Sequence, residues 1–382
     1  MTLKLLHLHS SFHAGGKELR AARLINAFGK DVEHTIVSAQ PEALGAASAI
    51  ASGIVAHYPR DFPALAGRPT PGRLQQIARA MHGFDLVLTY NWGAMDAVMA
   101  HTLFGHALKI QGMGLPPLVH HEDGFNQDEI DRLKRSRNWY RRIALGRASA
   151  LVVPSQRLED IALDAWQQPR GRVKRVPNGI ATARYGGKVR RDALPRVIKR
   201  DGELWLGTLA GLRAIKNLPR LIRAFAALPE PWQLVILGEG PEREAIRDEA
   251  LRLDIGHRVH LPGFVADPAK AIGLFDLFAL SSDSEQFPLS VIEAMAAGLA
   301  VAAPAVGDVA QIVAAPNAPY IVPPGDEAAL SGALLALARD PALRRAIGEA
   351  NRTRACAEFD EAGMIAAYRR IYAKAMRRTE FP

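Results

Sequence analysis

The sequence has a single cysteine, Cys356, among 382 residues. That excludes an internal disulfide framework and fits a reducing cytoplasm. No apolar run reaches the roughly eighteen residues that a membrane-crossing helix needs. No low-complexity tract appears, so nothing marks a long disordered arm. Helix-turn-helix, RNA-recognition and zinc-knuckle patterns are all missing, which argues against nucleic acid as a partner. No Asp-x-Asp pair stands at a strand end, so no metal is expected. Acid is in short supply: 39 Asp and Glu face 48 Lys and Arg, a net charge of +9. A surplus of that size favours anionic partners.

What is present is α/β alternation over a length that suits two domains. Strand-like runs in the first half are Leu3–Leu8, Glu33–Val37, Leu86–Thr89, Leu108–Gln111, Leu118–His121 and Ala150–Val153. Those in the second half are Leu204–Leu209, Gln233–Leu237, Val259–Leu261, Phe275–Leu280, Ala300–Ala303 and Tyr320–Val322. Helical patterns fall between them, which predicts parallel sheets with crossover helices. Residues 1–9 read as a first strand, too short and too rich in His for a signal peptide. Expected boundaries are 1–177 for an N-terminal domain and 178–201 for a linker rich in Gly, Arg and Lys. A C-terminal domain follows over 202–360. The last helix, 361–382, is expected to return to the N-terminal domain.

The most informative run is Ser281 to Gly298. Glu285 and Glu293 stand eight residues apart, with Pro288 between them and an apolar strand before them. Proline suits a helix start, and Gly298 suits its C-terminal cap. The free amides of such a helix attract phosphate. A carboxylate on either side of an anion site suits a ligand with hydroxyls at both ends of a diphosphate, which is a nucleotide sugar. Arg213 and Lys216 follow the strand Leu204–Leu209 and precede a helix near Leu218. Strand-end loops of this kind line the ligand crevice of open α/β sheets. Gly15 and Gly16 follow the first strand, where a glycine pair lets backbone approach a ligand.

The segment Leu118–Gly124 includes His120, His121, Glu122 and Asp123. Successive strand residues point to opposite faces, so His120 and His121 do not chelate together. His120, His121 and Asp123 are candidate contacts to an acceptor or a sugar. Residues 127–146, with Arg147 just beyond, read as a basic helix carrying Trp139, Tyr140, Ile143 and Leu145. Arg132–Arg147 is therefore a candidate contact to an anionic membrane surface, at the inner face of the plasma membrane.

Five segments together resemble the retaining family 4 glycosyltransferases of the GT-B fold. They are His13–Glu18, Val176–Ile180, Gly207–Asn217, the Glu-x7-Glu run Glu285–Glu293 and Val322–Asp326. The resemblance implies two Rossmann-like domains facing a central cleft, and sugar transfer from a nucleotide-diphosphate sugar without metal or other cofactor. It implies that Arg213, Lys216 and Glu285 are catalytic, with Glu285 on the sugar hydroxyls and Glu293 on the ribose. Gly16, Val265, Phe287, Leu289 and Ser290 would complete the donor site. A saccharide or lipid-linked saccharide is the implied acceptor, in surface polysaccharide or lipopolysaccharide synthesis. Two positions depart from the family pattern: Ala181 where relatives often have Asp, and Gln311 where they often have Glu. An epimerase on the same fold and a non-catalytic nucleotide-sugar binder are the alternative readings.

Overall fold

The computed structural model describes residues 2–125, 129, 132–187 and 189–382. It divides into two compact units. Unit 1 comprises residues up to Pro177 together with Met364–Pro382, and unit 2 comprises Asn178–Gly363.

In chain order unit 1 contains β1 (Leu3–His9), α1 (Gly16–Phe28), β2 (Val32–Ser38), β3 (Ala56–His57), α2 (Pro71–Ala80) and β4 (Leu86–Tyr90). There follow α3 (Met95–Ile110), β5 (Leu118–His121), α4 (Arg135–Ala144), β6 (Ala150–Val153), α5 (Gln156–Asp164) and β7 (Val173–Arg175). Unit 2 contains β8 (Leu204–Leu209), α6 (Leu218–Ala226), β9 (Trp232–Leu237), α7 (Arg243–Arg252), β10 (Val259–Gly263) and β11 (Leu277–Ala279). Next come α8 (Leu289–Ala296), β12 (Val301–Pro304), α9 (Val309–Ile312), β13 (Ile321–Val322), α10 (Glu327–Arg339) and α11 (Pro341–Glu358). The last helix is α12 (Glu361–Ala375), and its residues from Met364 onward belong to unit 1.

Both sheets are parallel and share one winding. Unit 1 runs β3-β2-β1-β4-β5-β6-β7, and unit 2 runs β10-β9-β8-β11-β12-β13. The order reverses between β1 and β4 in the first sheet and between β8 and β11 in the second. Ligands of open α/β sheets bind outside the carboxyl ends of the strands at that reversal.

The central strands are buried on both faces and are mainly apolar, with buried histidines on β1, β2 and β5. Alternate residues feed separate cores. Leu6 and Val87 enter one core of unit 1, while Leu5, Leu86 and Leu88 enter the other with Tyr368 and Tyr372 of α12. Unit 2 divides likewise: Trp205, Phe278 and Val301 lie on one face, and Leu206, Leu277 and Ala302 on the other.

Three expectations change. Leu108–Gln111 is no strand: residues 108–110 end α3. Strands β3 and β7 are additional edge pairings. The stretch 178–201 is no free linker, because Ile180, Tyr185 and Leu194 are buried in a unit 2 core.

Candidate functional site

The unit 2 site is built at the carboxyl ends of β8 and β11. The loop after β8 carries Arg213 and Lys216; the loop after β11 carries Ser281 to Pro288. Several contacts tie the loops together. The Lys216 ammonium donates to Glu285 Oε1 at 2.5 Å. Ser282 Oγ donates to the same oxygen at 2.7 Å. Ser281 Oγ donates to the Lys216 carbonyl at 2.9 Å, and the Asp283 amide to the Ile215 carbonyl at 2.9 Å. Arg220 pairs with Asp283 at 2.7 Å. Glu285 is therefore fixed with one oxygen engaged by a cation and a hydroxyl. Arg213 is exposed and, among the described residues, has no side-chain partner, so its charge is available to a ligand.

Pro288 caps α8 with extended backbone, φ −72° and ψ 110°, and no side chain caps the helix. Proline thus stands one residue before the first turn rather than within it. The amides of Leu289 and Ser290 follow directly as first-turn donors. At the other end Gly298 adopts φ +78°. Its amide donates to Met295 and that of Leu299 to Ala294, which closes the helix as expected. Glu293 is half-buried on α8, and Tyr185 Oη donates to its Oε1 at 3.0 Å. Phe287 packs edge-on against Phe359, with ring centres 5.8 Å apart. Val265 lies two residues beyond β10, partly buried against the same core.

One further loop reaches this site. Gly307 follows β12 with φ +56°. A Cβ there would lie 2.4 Å from the Glu285 carbonyl oxygen and 2.7 Å from that of Gln286. Only glycine allows this conformation and this approach together. The Asp308 amide then donates to Gln286 at 3.1 Å.

Unit 1 has its own cavity, of about 800 Å³, at the β1/β4 reversal. Ser10, Lys17, Asn91, Trp92, Asp96 and Tyr140 are among its lining residues. Asp96 accepts from Tyr140 Oη at 2.6 Å and pairs with Arg73. Burial and then Asp96 push the Tyr140 phenol upward, so it stays a donor. Asn91 holds φ +56°, unusual for a residue with a side chain, and accepts from the Asp123 amide at 2.7 Å. Gly16 opens α1, and apart from its chain neighbours and its own helix backbone nothing lies within 4 Å of where its Cβ would be.

The His120-to-Asp123 candidates are not brought to this cavity's lining. His120 is fully buried, with Nδ1 2.8 Å from Thr89 Oγ1. His121 is buried as well: Nδ1 donates to the Thr89 carbonyl at 3.1 Å, and Nε2 accepts from Tyr372 Oη at 3.0 Å. Burial, assisted by Arg20, pushes the His121 imidazole down to about 3. Both histidines are buried in unit 1, and neither lines the cavity. Asp123 forms a bidentate pair with Arg20. Burial opposes its ionisation, but Arg20 outweighs this and holds the carboxyl below its usual range. Among the described residues no group of three or more His, Cys, Asp or Glu side chains gathers as a metal ion would require.

Two family models cover most of the chain. Glycosyltransferase Family 4 matches residues 14–184, and Glycosyl transferases group 1 matches residues 190–354. The chain belongs to the family 4 glycosyltransferases. This glycosyltransferase is similar to N-acetyl-alpha-D-glucosaminyl L-malate synthase of Bacillus anthracis, 27% identical over 179 residues, 46% of this chain and 47% of that one. It is also similar to the putative glycosyltransferase EpsF of Bacillus subtilis, 30% identical over 223 residues, 54% of this chain and 56% of that one. The chain spans about half the length of the curated relatives it matches. Its fold matches Anabaena HepE in complex with UDP at a TM-score of 0.77 and 20% identity, over 95% of this chain and 98% of that one. The same protein has been solved with UDP-glucose. The architecture is therefore that of the GT-B glycosyltransferases.

The Glu-x7-Glu spacing and the basic pair could be read from sequence. Tyr185 and the Arg220–Asp283 pair could not, because they meet only through tertiary contacts. Ser281-Ser-Asp was the available signal, since a polar cluster directly after a buried strand points to backbone-bonding side chains.

Proposed function

We propose that this chain is a retaining glycosyltransferase that moves a sugar from a nucleoside-diphosphate sugar to a saccharide or lipid-linked saccharide. One observation carries the reading. An unpaired Arg213, a Lys216–Glu285 pair and an uncapped α8 N-terminus meet at the strand-order reversal of unit 2. In this reading Arg213, Lys216 and the Leu289 and Ser290 amides bind the diphosphate. Glu285 holds the sugar hydroxyls and Glu293 the ribose. The backbone near Val265 meets the base, Phe287 supports the loop, and Gly16 leaves room for ligand beside α1. The known complexes of HepE with UDP and UDP-glucose support the choice of donor class.

The bond between the anomeric carbon and the diphosphate oxygen breaks, and its electron pair leaves with the diphosphate. Fixed cations and amides stabilise that charge as it forms, so the protein supplies what a metal otherwise would. The acceptor hydroxyl attacks from the same face, and its proton passes to the departing diphosphate oxygen. The unit 1 cavity, lined by hydroxyls, two amides, two carboxylates, two cations and two aromatic rings, suits a polyhydroxylated acceptor. A lipid-linked acceptor would bring the enzyme to a membrane face.

The test is a screen of UDP-sugars that follows free UDP, with and without saccharide acceptors and lipid extract. Release that depends on an acceptor, with the product linkage in the donor's configuration, is expected. A converted nucleotide sugar formed without acceptor identifies an epimerase, and tight binding without turnover identifies a binding protein. Either result contradicts the proposal.

A further inference from the structure

Unit 1 has a surface that sugar transfer does not use. Helix α4 buries Arg141 and Ala144 and turns Trp139 and Ile143 outward, 61% and 50% exposed. Thr102 Oγ1 donates to the Ala144 carbonyl at 2.5 Å, which fastens α3 alongside. Helix α3 adds Leu103 and Ile110, 54% and 75% exposed. Four of the nine large apolar side chains exposed among the described residues thus stand on two adjoining helices. Single exposed residues are ordinary, but a cluster rimmed by charge marks an interaction site.

The rim is of one sign. From Arg132 to Arg147 the chain has no Asp or Glu. Residues 127, 128, 130 and 131 of the expected basic helix lie outside the described residues. Not every cation on α4 points outward: Arg141 pairs with Glu122 at 3.1 Å and Arg137 with Glu129 at 2.8 Å. Arg132, Arg135, Arg142 and Arg147 are exposed and, among the described residues, make no ion pair. Lys109 extends the rim onto α3. Two exposed arginines of unit 2 are paired instead: Arg190 reaches Asp192 at 2.6 Å, and Arg252 reaches Glu249 at 2.8 Å. The Arg142 guanidinium lies over the Trp139 ring at 5.1 Å.

We infer that the α3–α4 face docks on a bilayer rich in anionic lipid. Leu103, Ile110, Trp139 and Ile143 enter the headgroup boundary, and the arginines gather on lipid phosphates. Tryptophan suits that depth, with an apolar body and a polar tip. A soluble polyanion would neutralise the arginines and leave the four apolar side chains in water, so the bilayer fits both features. Docking requires neither donor nor acceptor, so it stands or fails apart from the transfer reaction.

The full chain should be sedimented with phosphatidylcholine vesicles and with vesicles containing about a third phosphatidylglycerol, without nucleotide sugar. Binding to the anionic vesicles only is expected, weakening as salt rises. Trp139→Ser with Ile143→Ser, and Arg135→Ser with Arg142→Ser, should each lower binding by at least about tenfold while the unfolding temperature stays put. Binding that survives both pairs, or no binding to anionic vesicles, overturns the inference. So does heparin binding as tight as vesicle binding that depends on the arginine pair alone, because that result identifies a soluble polyanion.

Discussion

Arg213 and Lys216 share a loop but not an environment. Lys216 is bound to Glu285, so removing it also frees a carboxylate beside the diphosphate site. Arg213 has no side-chain partner among the described residues, so in the proposed mechanism it acts on the ligand alone. In that mechanism each supplies charge where the leaving group becomes more negative. Arg213→Ala and Lys216→Ala are each expected to lower turnover by roughly a hundredfold at saturating donor. Rates within threefold of wild type for both would remove them from the mechanism. In the proposed mechanism these side chains supply the positive charge, so EDTA should leave the rate intact. Loss on chelation with recovery on adding Mg2+ would contradict that. The two glutamates and the basic pair were legible in sequence because proline and spacing fix local geometry. Tyr185 was not, since its contact to Glu293 spans 108 residues.

At the scale of elements, α8 and α11 meet through glycine. A Cβ on Gly348, within α11, would lie 1.9 Å from the Gly298 carbonyl oxygen. Alanine is normally preferred over glycine inside a helix. Here the close approach reverses the sign, because the added carbon would force α11 away from α8. Gly348→Ala is therefore expected to destabilise unit 2 by about 1–3 kcal/mol, measured by thermal or denaturant unfolding. An unchanged or raised midpoint would show that the helices yield without cost. Sequence alone missed β3 and β7, two edge strands of two and three residues, because so few residues show no period. It misread Leu108–Gln111 because four residues ending in an apolar-flanked Lys-Ile-Gln resemble a strand as well as a helix end. It missed how residues 178–201 fold because a few buried anchors among polar residues look like a linker.

At the scale of the molecule, unit 1 encloses several histidines. Burial lowers His34 to about 4 and His121 to about 3, and pushes His7 and His9 well below their ordinary value. These groups are neutral in the folded chain, whereas in the unfolded chain they take up protons near pH 6.5. Between these values the unfolded state binds more protons, so stability falls as pH falls. Above about pH 6.5 the effect vanishes. Each histidine contributes up to about 1.4 kcal/mol per pH unit within that window. Unfolding free energy is expected to drop steeply from about pH 6.5 towards about pH 5, with unit 1 amides losing hydrogen-exchange protection first. A flat profile over that range would mean that the cluster is hydrated or already charged.

The placement of sugar and ribose at opposite ends of the Glu285–Glu293 run is tested most directly by titrating free UDP into the wild type, Glu285→Ala and Glu293→Ala. Free UDP has a ribose but no sugar. Glu293→Ala should weaken its binding by about 1–3 kcal/mol, the range for a lost charged hydrogen bond, and Tyr185→Phe should weaken it by less. Glu285→Ala should leave it nearly unchanged while lowering kcat in the transfer assay. Equal weakening by the two alanine variants, or none by Glu293→Ala, would contradict the donor site described for unit 2.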